Sequence, residues 1–332
     1  MKTKNRFIRV ILGLIGGLLA LILLALLVLW IIPLTETGDP STVEGSADWM
    51  AGLDDELPLS SIVLPGTHDS ATKYVQLAFF SKCQSMDIAA QLDAGYRYLD
   101  IRLAAEGEGM KLMHGFTSCK TGPLPWSRDL TLADVLQECY AFLDAHPGET
   151  IVFAVKQEHG TETTEEFQRI LNAIIQKDPS RWLLTDRIPL LGDARGKLVL
   201  MRRYEDDAHL AEAAGIPLVW ENQNGPADAG LSISMSEQEN YRLWVQDRYE
   251  YDAEEKWSAF LSGLREPGIQ DGDLSIHFLS TKGSFAYGHP FSFARKLNPR
   301  MAELPDNEFS GWIIADFASS PLAEHIYLSN HS

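Results

Sequence analysis

Twenty-three consecutive residues, Val10 to Ile32, carry no polar or charged side chain. A run that long and that apolar has a natural solvent in the core of a bilayer. At about 1.5 Å per residue a helix of this length reaches about 34 Å, enough to cross with some tilt. Lys2, Lys4, Arg6 and Arg9 precede the run, whereas Glu36 and Asp39 follow it. That bias keeps the N-terminus in the cytoplasm and sends the rest across. The alternative is a cleaved signal peptide, whose apolar core spans only about 7–15 residues and ends at small side chains. Here the run closes on Trp30, Ile31, Ile32 and Pro33. The sequence thus predicts a basic cytoplasmic segment (1–9), a single transmembrane signal-anchor helix (10–32), a stalk (33–56) and an extracytoplasmic folded domain (57–332). Cleavage of the run would make the domain a secreted one.

Setting aside the four basic residues ahead of the span, 24 Lys and Arg face 46 Asp and Glu, so the outer part stands at −22 with His neutral. Such a surface repels nucleic acid and gains nothing from long-range attraction to an anionic bilayer. Cys83, Cys119 and Cys139 are odd in number and form no Cys-x-x-Cys pair, which argues against a structural zinc site. Cys83 with Cys119 is a possible disulfide, and Cys139 falls inside a helical pattern.

Past the stalk, short apolar runs alternate with helical periodicity. The strand-like runs are 61–64, 96–102, 111–114, 150–156, 197–202, 243–247, 274–279 and 311–316. Helical spacing appears over 132–145, 164–177, 253–264, 291–301 and 322–328. Asp129 or Thr131, and Thr163 with Glu166, suit helix N-caps. Eight nearly continuous apolar strands, several followed by helices, predict a parallel sheet buried on both faces. Almost nothing separates the second and third runs, so the expected fold is α/β, an irregular TIM-like (β/α)8 barrel.

The polar residues closing these runs carry the chemistry, because barrel strands bring their C-terminal ends to one face. They are His68, with Asp69, after Pro65-Gly66-Thr67; Asp100 and Arg102; His114; Lys156; Arg202 or Arg203; Asp247; and Asp316. Alternation puts Asp100 and Arg102 on one face of their strand. Any one of these alone reads as a solvated turn or a strand-edge charge. Together, two His, several Asp, and Arg and Lys form a catalytic constellation. Gly192-Asp-Ala-Arg-Gly-Lys197 is a residue short of a phosphate-binding loop and runs into a strand, so no nucleotide site is expected. No His-Glu-x-x-His spacing occurs, and His146, His159 and His289 receive no role.

From about Leu57 to Leu328 the sequence resembles bacterial phosphatidylinositol-specific phospholipase C. The likeness rests on Pro65-Gly-Thr-His-Asp-Ser70, Asp100-Ile-Arg102, His114-Gly115, the stretch from Gly192 to Tyr204, Val245-Gln-Asp-Arg-Tyr249 and Gly311-Trp-Ile-Ile-Ala-Asp-Phe317. The resemblance implies that His68 is the general base on the inositol 2-hydroxyl and His114 the general acid on the departing diacylglycerol. It implies that Asp316 orients His68, Asp69 pairs with His114, Arg102 binds the phosphate and Asp100 sits beside the nucleophile. Lys156, Arg203, Asp247 and Tyr249 would grip the inositol. Eukaryotic relatives hold calcium with a carboxylate in the region of Arg102, so a guanidinium there implies catalysis without metal or other cofactor. The expected partner is a phosphatidylinositol-type lipid in a membrane, met by a monomer; nucleic acid and nucleotides are not expected partners. Tyr74, Phe79, Phe80, Phe285 and Tyr287 are candidates for a rim that dips into lipid. A glycosylated inositol lipid, another phosphodiester, or an inactive lipid-binding domain are the competing readings.

Overall fold

The computed structural model describes residues 2–208, 215–223, 233–238, 240–284 and 288–331, the first six of these by their backbone alone. The apolar run lies in one helix, α1 (Lys2–Thr35). The most apolar 18 residues of its portion Ile8–Thr35 have mean hydropathy 3.0, and by length and composition that portion is able to cross a membrane.

The strands are β1 (Leu64–Thr67), β2 (Tyr98–Glu106), β3 (Gly109–His114), β4 (Thr117–Ser118), β5 (Ile151–Gln157), β6 (Trp182–Leu183), β7 (Leu198–Arg203), β8 (Ile216–Pro217), β9 (Ser234–Glu237), β10 (Arg242–Gln246), β11 (Leu274–Phe278) and β12 (Trp312–Ala315). The helices after α1 are α2 (Ala78–Ser81), α3 (Ile88–Asp93), α4 (Leu132–Ala145), α5 (Thr164–Ile175), α6 (Leu191–Ala194), α7 (Ala253–Leu264), α8 (Pro290–Ala302) and α9 (Ser320–Tyr327). Eight strands run parallel in the order β8-β7-β5-β2-β1-β12-β11-β10, with the short β6 also parallel to the start of β7, the arrangement of an irregular (β/α) barrel.

One predicted barrel strand is misplaced. The run ending at His114 pairs antiparallel with β2, Leu103 opposite Leu112, as the second arm of a hairpin. Parallel neighbours need a crossover of about a dozen residues, and only Gly107 and Glu108 separate these two strands. Its barrel place is taken by β8, whose two residues are too short to register as a periodic run. Among the described residues no ladder joins β8 to β10. Side chains span the seam instead: Ser236 Oγ and Gln238 Nε2 donate to Val219 O at 3.0 and 3.1 Å, Gln223 Nε2 to Val245 O at 3.0 Å, and Tyr241 Oη to Pro217 O.

Strand alternation sorts side chains into two layers. Tyr98, Val152, Ala154, Val199, Met201, Val245, Ile276 and Ile314 fill the barrel. Leu99, Ile101, Leu103, Phe153, Val155 and Leu200 face outward against α4 and α5. The interior is tight at Gly66, where a Cβ would stand 2.4 Å from Ile314 Cδ1. Between the two suggested caps of α4, Thr131 is the one: it closes a capping box with Asp134. Thr163 accepts from Glu166 N at 3.2 Å to start α5.

The predicted stalk is bound to the domain over much of its length. Trp49 and Met50 are buried; Trp49 stacks on Tyr327 at 5.0 Å and donates to Gly95 O at 2.8 Å. This turn closes the end of the barrel opposite the site. Beneath it Arg97, fully buried, meets Glu149 at 2.8 Å and donates to the carbonyls of Leu92, Tyr96, Ser46 and Ala47. Glu149→Ala would leave that guanidinium charged and partly unpaired, an imbalance costing about 3–5 kcal/mol. Urea unfolding of the full chain in detergent should show the loss, and a change below about 1 kcal/mol would contradict it.

Candidate active site

Register sets the height of each side chain at the barrel mouth. Arg102 lies opposite Lys156, and Lys156 opposite Arg203, so three cations stand in a row across β2, β5 and β7. Alternation decides between the two arginines of β7. Val199 and Met201 point inward, and Arg203 follows them; Leu198 and Leu200 point outward with Arg202. Arg203 Nη1 donates to Asp100 Oδ1 at 2.9 Å, whereas Arg202 turns to Tyr204 O at 3.2 Å.

His68 leaves the end of β1 with its backbone pinned. Its N–H donates to Ala315 O at 3.1 Å, and its carbonyl accepts from Gln84 Nε2 at 2.8 Å. The ring Nδ1 lies 2.8 Å from Asp316 Oδ1; Nε2 lies 2.9 Å from Arg102 Nη2 and 3.1 Å from Asp69 Oδ2. With a carboxylate at Nδ1 and a guanidinium donor at Nε2, these partners assign the proton to Nδ1 and the lone pair to Nε2, where it accepts from Arg102 Nη2. Burial opposes an imidazolium here. The carboxylates of Asp69 and Asp316 outweigh burial and the opposing Arg102 charge, and the His68 pKa rises above its ordinary 6.5.

Arg102 ties the centre together. Its Nε lies 2.9 Å from Asp69 Oδ1 and 3.1 Å from Asp100 Oδ2, and its Nη2 2.9 Å from Asp100 Oδ2. Burial alone would raise the Asp100 carboxyl, but Arg102 and Arg203 hold it far below the usual carboxylate range. His114 comes in from the β2–β3 hairpin. Its Nδ1 donates to Ser81 O at 2.8 Å, and its Nε2 lies 3.5 Å from Asp69 Oδ2. The two imidazoles are 6.4 Å apart, nearly perpendicular. Asp69 is therefore a shared carboxylate, nearer to His68 and Arg102 than to His114. Asp69 (φ 45°) and Phe317 (φ 49°), each next to a histidine or its carboxylate partner, hold left-handed backbone that non-glycine residues seldom adopt.

The remaining predicted residues ring this centre. Lys156 Nζ pairs with Glu158 Oε2 at 2.9 Å. Burial pushes the Glu158 carboxyl up, but Arg102 and Lys156 bring it down to about 2. Burial, with Arg102 nearby, pushes the Lys156 amine below its ordinary value. Asp247 Oδ2 accepts from Trp220 Nε1 at 3.4 Å, and the Arg203 guanidinium lies 4.2 Å over the Trp220 ring. Tyr249 Oη donates to Asn222 Oδ1 at 2.7 Å. Sequence reasoning missed Glu158, although it stands two residues past Lys156, just beyond the end of β5. It also missed Trp220 and Asn222, which follow the unread strand β8.

One group of potential metal ligands is His68, Asp69 and Asp100, whose ligand atoms lie within 4.8 Å of one another. Arg102 is bonded to all three, at His68 Nε2, Asp69 Oδ1 and Asp100 Oδ2. Calcium asks for about six to eight oxygen ligands, and here the oxygens are engaged by a guanidinium. The residues present do not fit a calcium site.

Around the mouth Leu77, Phe80, Phe116, Leu124 and Trp126 are exposed. Tyr74 is half-buried, as is Phe79, which stacks on His289 at 4.1 Å rather than pointing outward. Phe285 and Tyr287 lie outside the described residues. Cys83, Cys119 and Cys139 are buried free thiols, so the possible Cys83–Cys119 disulfide is absent.

Residues 57–204 match the family described as phosphatidylinositol-specific phospholipase C, X domain, a span that includes both histidines, Arg102 and Arg203. A 1-phosphatidylinositol phosphodiesterase of Staphylococcus aureus is 26% identical over 291 residues, 82% of this chain and 88% of that protein. One from Listeria monocytogenes is 30% identical over 164 residues, 46% of this chain and 47% of that protein. A solved phosphatidylinositol-specific phospholipase C of S. aureus shares the fold with a TM-score of 0.71 at 23% identity, over 85% of this chain and 97% of that one. The Listeria monocytogenes enzyme does so at 0.64 and 20%, over 86% and 98%. Residues 57–204 thus carry the match to the phosphatidylinositol-specific phospholipase C X domain, and the chain shares the fold of the solved bacterial enzymes.

Proposed function

We propose that the protein is a membrane-anchored phosphodiesterase that splits phosphatidylinositol into diacylglycerol and inositol 1,2-cyclic phosphate without a metal ion. The observation that carries the reading is Arg102, hydrogen-bonded at 2.9 Å to His68, Asp69 and Asp100. The inositol 2-hydroxyl gives its proton to His68 Nε2 as its oxygen bonds to phosphorus. The bond from phosphorus to the glycerol oxygen breaks, and His114 Nε2 supplies the proton that oxygen needs. Asp316 fixes the His68 tautomer and steadies the imidazolium that forms. Arg102 offsets the charge gathering on the non-bridging phosphate oxygens, the task a calcium ion would otherwise perform. Lys156, Arg203 and Asp247 face the inositol hydroxyls, with Tyr249 alongside the ring. The span of α1 retains the domain at the membrane, on its extracytoplasmic side, and the exposed apolar residues of the mouth meet the lipid.

The test is to place the full chain in lipid nanodiscs containing phosphatidylinositol and chelator and to follow the products by phosphorus NMR. Cyclic phosphate should appear first, and chelator should change the rate less than about twofold. Linear inositol phosphate as the first product, or a rate restored only by calcium, would refute the reading.

A further inference from the structure

Where the outer end of α1 meets the barrel mouth there is a buried polar cluster that the proposed chemistry does not use. Glu36, the first acidic residue after the span, is buried, and its Oε1 lies 2.7 Å from His289 Nε2. The His289 ring lies flat on Phe79 of the rim helix α2, with 4° between the planes. Lys82, buried just past α2, donates through Nζ to Pro33 O at 2.6 Å and Glu36 O at 2.7 Å. An ammonium is costly to bury unless its donors are met; here burial pushes the amine down to about 8 while the two carbonyls receive it. Gly38 N donates to Ser85 Oγ at 3.1 Å, and a Cβ at Gly38 would stand 2.6 Å from Phe317 O. Trp30 Nε1 donates to Pro123 O at 3.2 Å. These contacts join the juxtamembrane segment to four separate parts of the rim.

Two of those parts hold the histidines. Ser81, the neighbour of Lys82, supplies the carbonyl that fixes His114 Nδ1. Phe317, against which Gly38 is pressed, follows Asp316, the partner of His68 Nδ1. The same two stretches are tied to each other, since Phe317 N donates to Cys83 O at 2.6 Å.

We propose that residues 33–38 are a latch rather than a tether: through the positioning residues Glu36, Lys82 and His289 the membrane anchor sets the active-site rim, and with it both histidines. The latch also holds the barrel mouth beside the leaflet from which α1 emerges, so that the lipid taken is one of the chain's own membrane. The inference rests on the phosphodiesterase reading above for its kinetic consequence, but not for its structural one.

The experiment uses the full chain in nanodiscs and a short-chain phosphatidylinositol kept monomeric in water, so that access to a bilayer does not enter. A displacement of the order of 1 Å at a catalytic group can lower a rate by about 100-fold, and a loosened latch should cost less. Glu36→Ala and Lys82→Met should each lower kcat about tenfold with KM within about twofold. Glu36→Gln, which keeps a hydrogen bond to His289, should recover most of the loss, and the exposed Asp39→Asn should match the parent. Amide hydrogen exchange over residues 79–85 and 317–319 should quicken in Glu36→Ala. Parent-like kcat and exchange in both Glu36→Ala and Lys82→Met would overturn the latch. If the parent releases no cyclic phosphate, the functional reading fails, and exchange alone decides: unchanged protection in Glu36→Ala overturns the latch.

Discussion

His114→Ala will lower cyclic phosphate formation from phosphatidylinositol by about 10³-fold, within the range for losing a positioned general acid. The leaving group explains the size. Diacylglycerol departs as an alkoxide, a very poor leaving group, unless a proton reaches its oxygen as the bond breaks. In the proposed mechanism His114 meets that need, its Nδ1 bound to Ser81 O and its Nε2 left facing Asp69 across the site. Leaving-group chemistry separates its role from that of His68. With a nitrophenyl ester of inositol phosphate the departing oxygen needs no proton, so His114→Ala should lose little, whereas His68→Ala should still lose about 10³-fold. Equal losses on both substrates would overturn the assignment. The double variant should be no worse than the poorer single one by more than a small factor, as for groups acting as a unit. The pH profile carries a further sign. His68 works as a base only when neutral, and its raised pKa means it gains a proton earlier as pH falls. The acid limb of kcat/KM should therefore lie above 6.5, and an acid limb below that value would count against His68 as the base.

Arg102→Lys will cost about 10²–10³-fold in kcat although it preserves the charge, comparable to removing a donor that meets developing anionic charge. A guanidinium has donors fixed in a plane, and here Nε and Nη2 serve Asp69, Asp100 and His68 at once. An ammonium on a flexible stem supplies charge at one point and cannot bridge the same three groups. The fold should persist, since Arg203 still pairs with Asp100 at the interior end of the network. Thermal unfolding should confirm that, and a kcat within about threefold of the parent would show that charge alone suffices.

Much of this was legible in the sequence because strong periodicity leaves few alternatives. The helical spacing over 132–145 and 253–264 gives α4 and α7 to the residue, because each starts on a capping box and ends where its apolar stripe ends. The strand-end residues were legible because parallel strands must finish on one rim. Pairing was not. The run closing on His114 has the same apolar pattern whether its neighbour is parallel or antiparallel, and β8 is two residues long. The choice between Arg202 and Arg203 needed a register that only the ladder supplies. Glu36 and His289 were unreadable as partners because 253 residues separate them, and a polar segment after a membrane span looks the same bound or free.

The three buried thiols bear on how the domain meets its surroundings. Burial raises Cys83 and Cys119 well above an ordinary thiol and Cys139 in the same direction, so each stays protonated. It is the thiolate that attacks disulfides and oxidants, and here it is scarce as well as shielded. Among the described residues no covalent bridge supports the barrel. Its stability is therefore indifferent to redox potential: an oxidising exterior adds nothing to it, and a reducing one removes nothing.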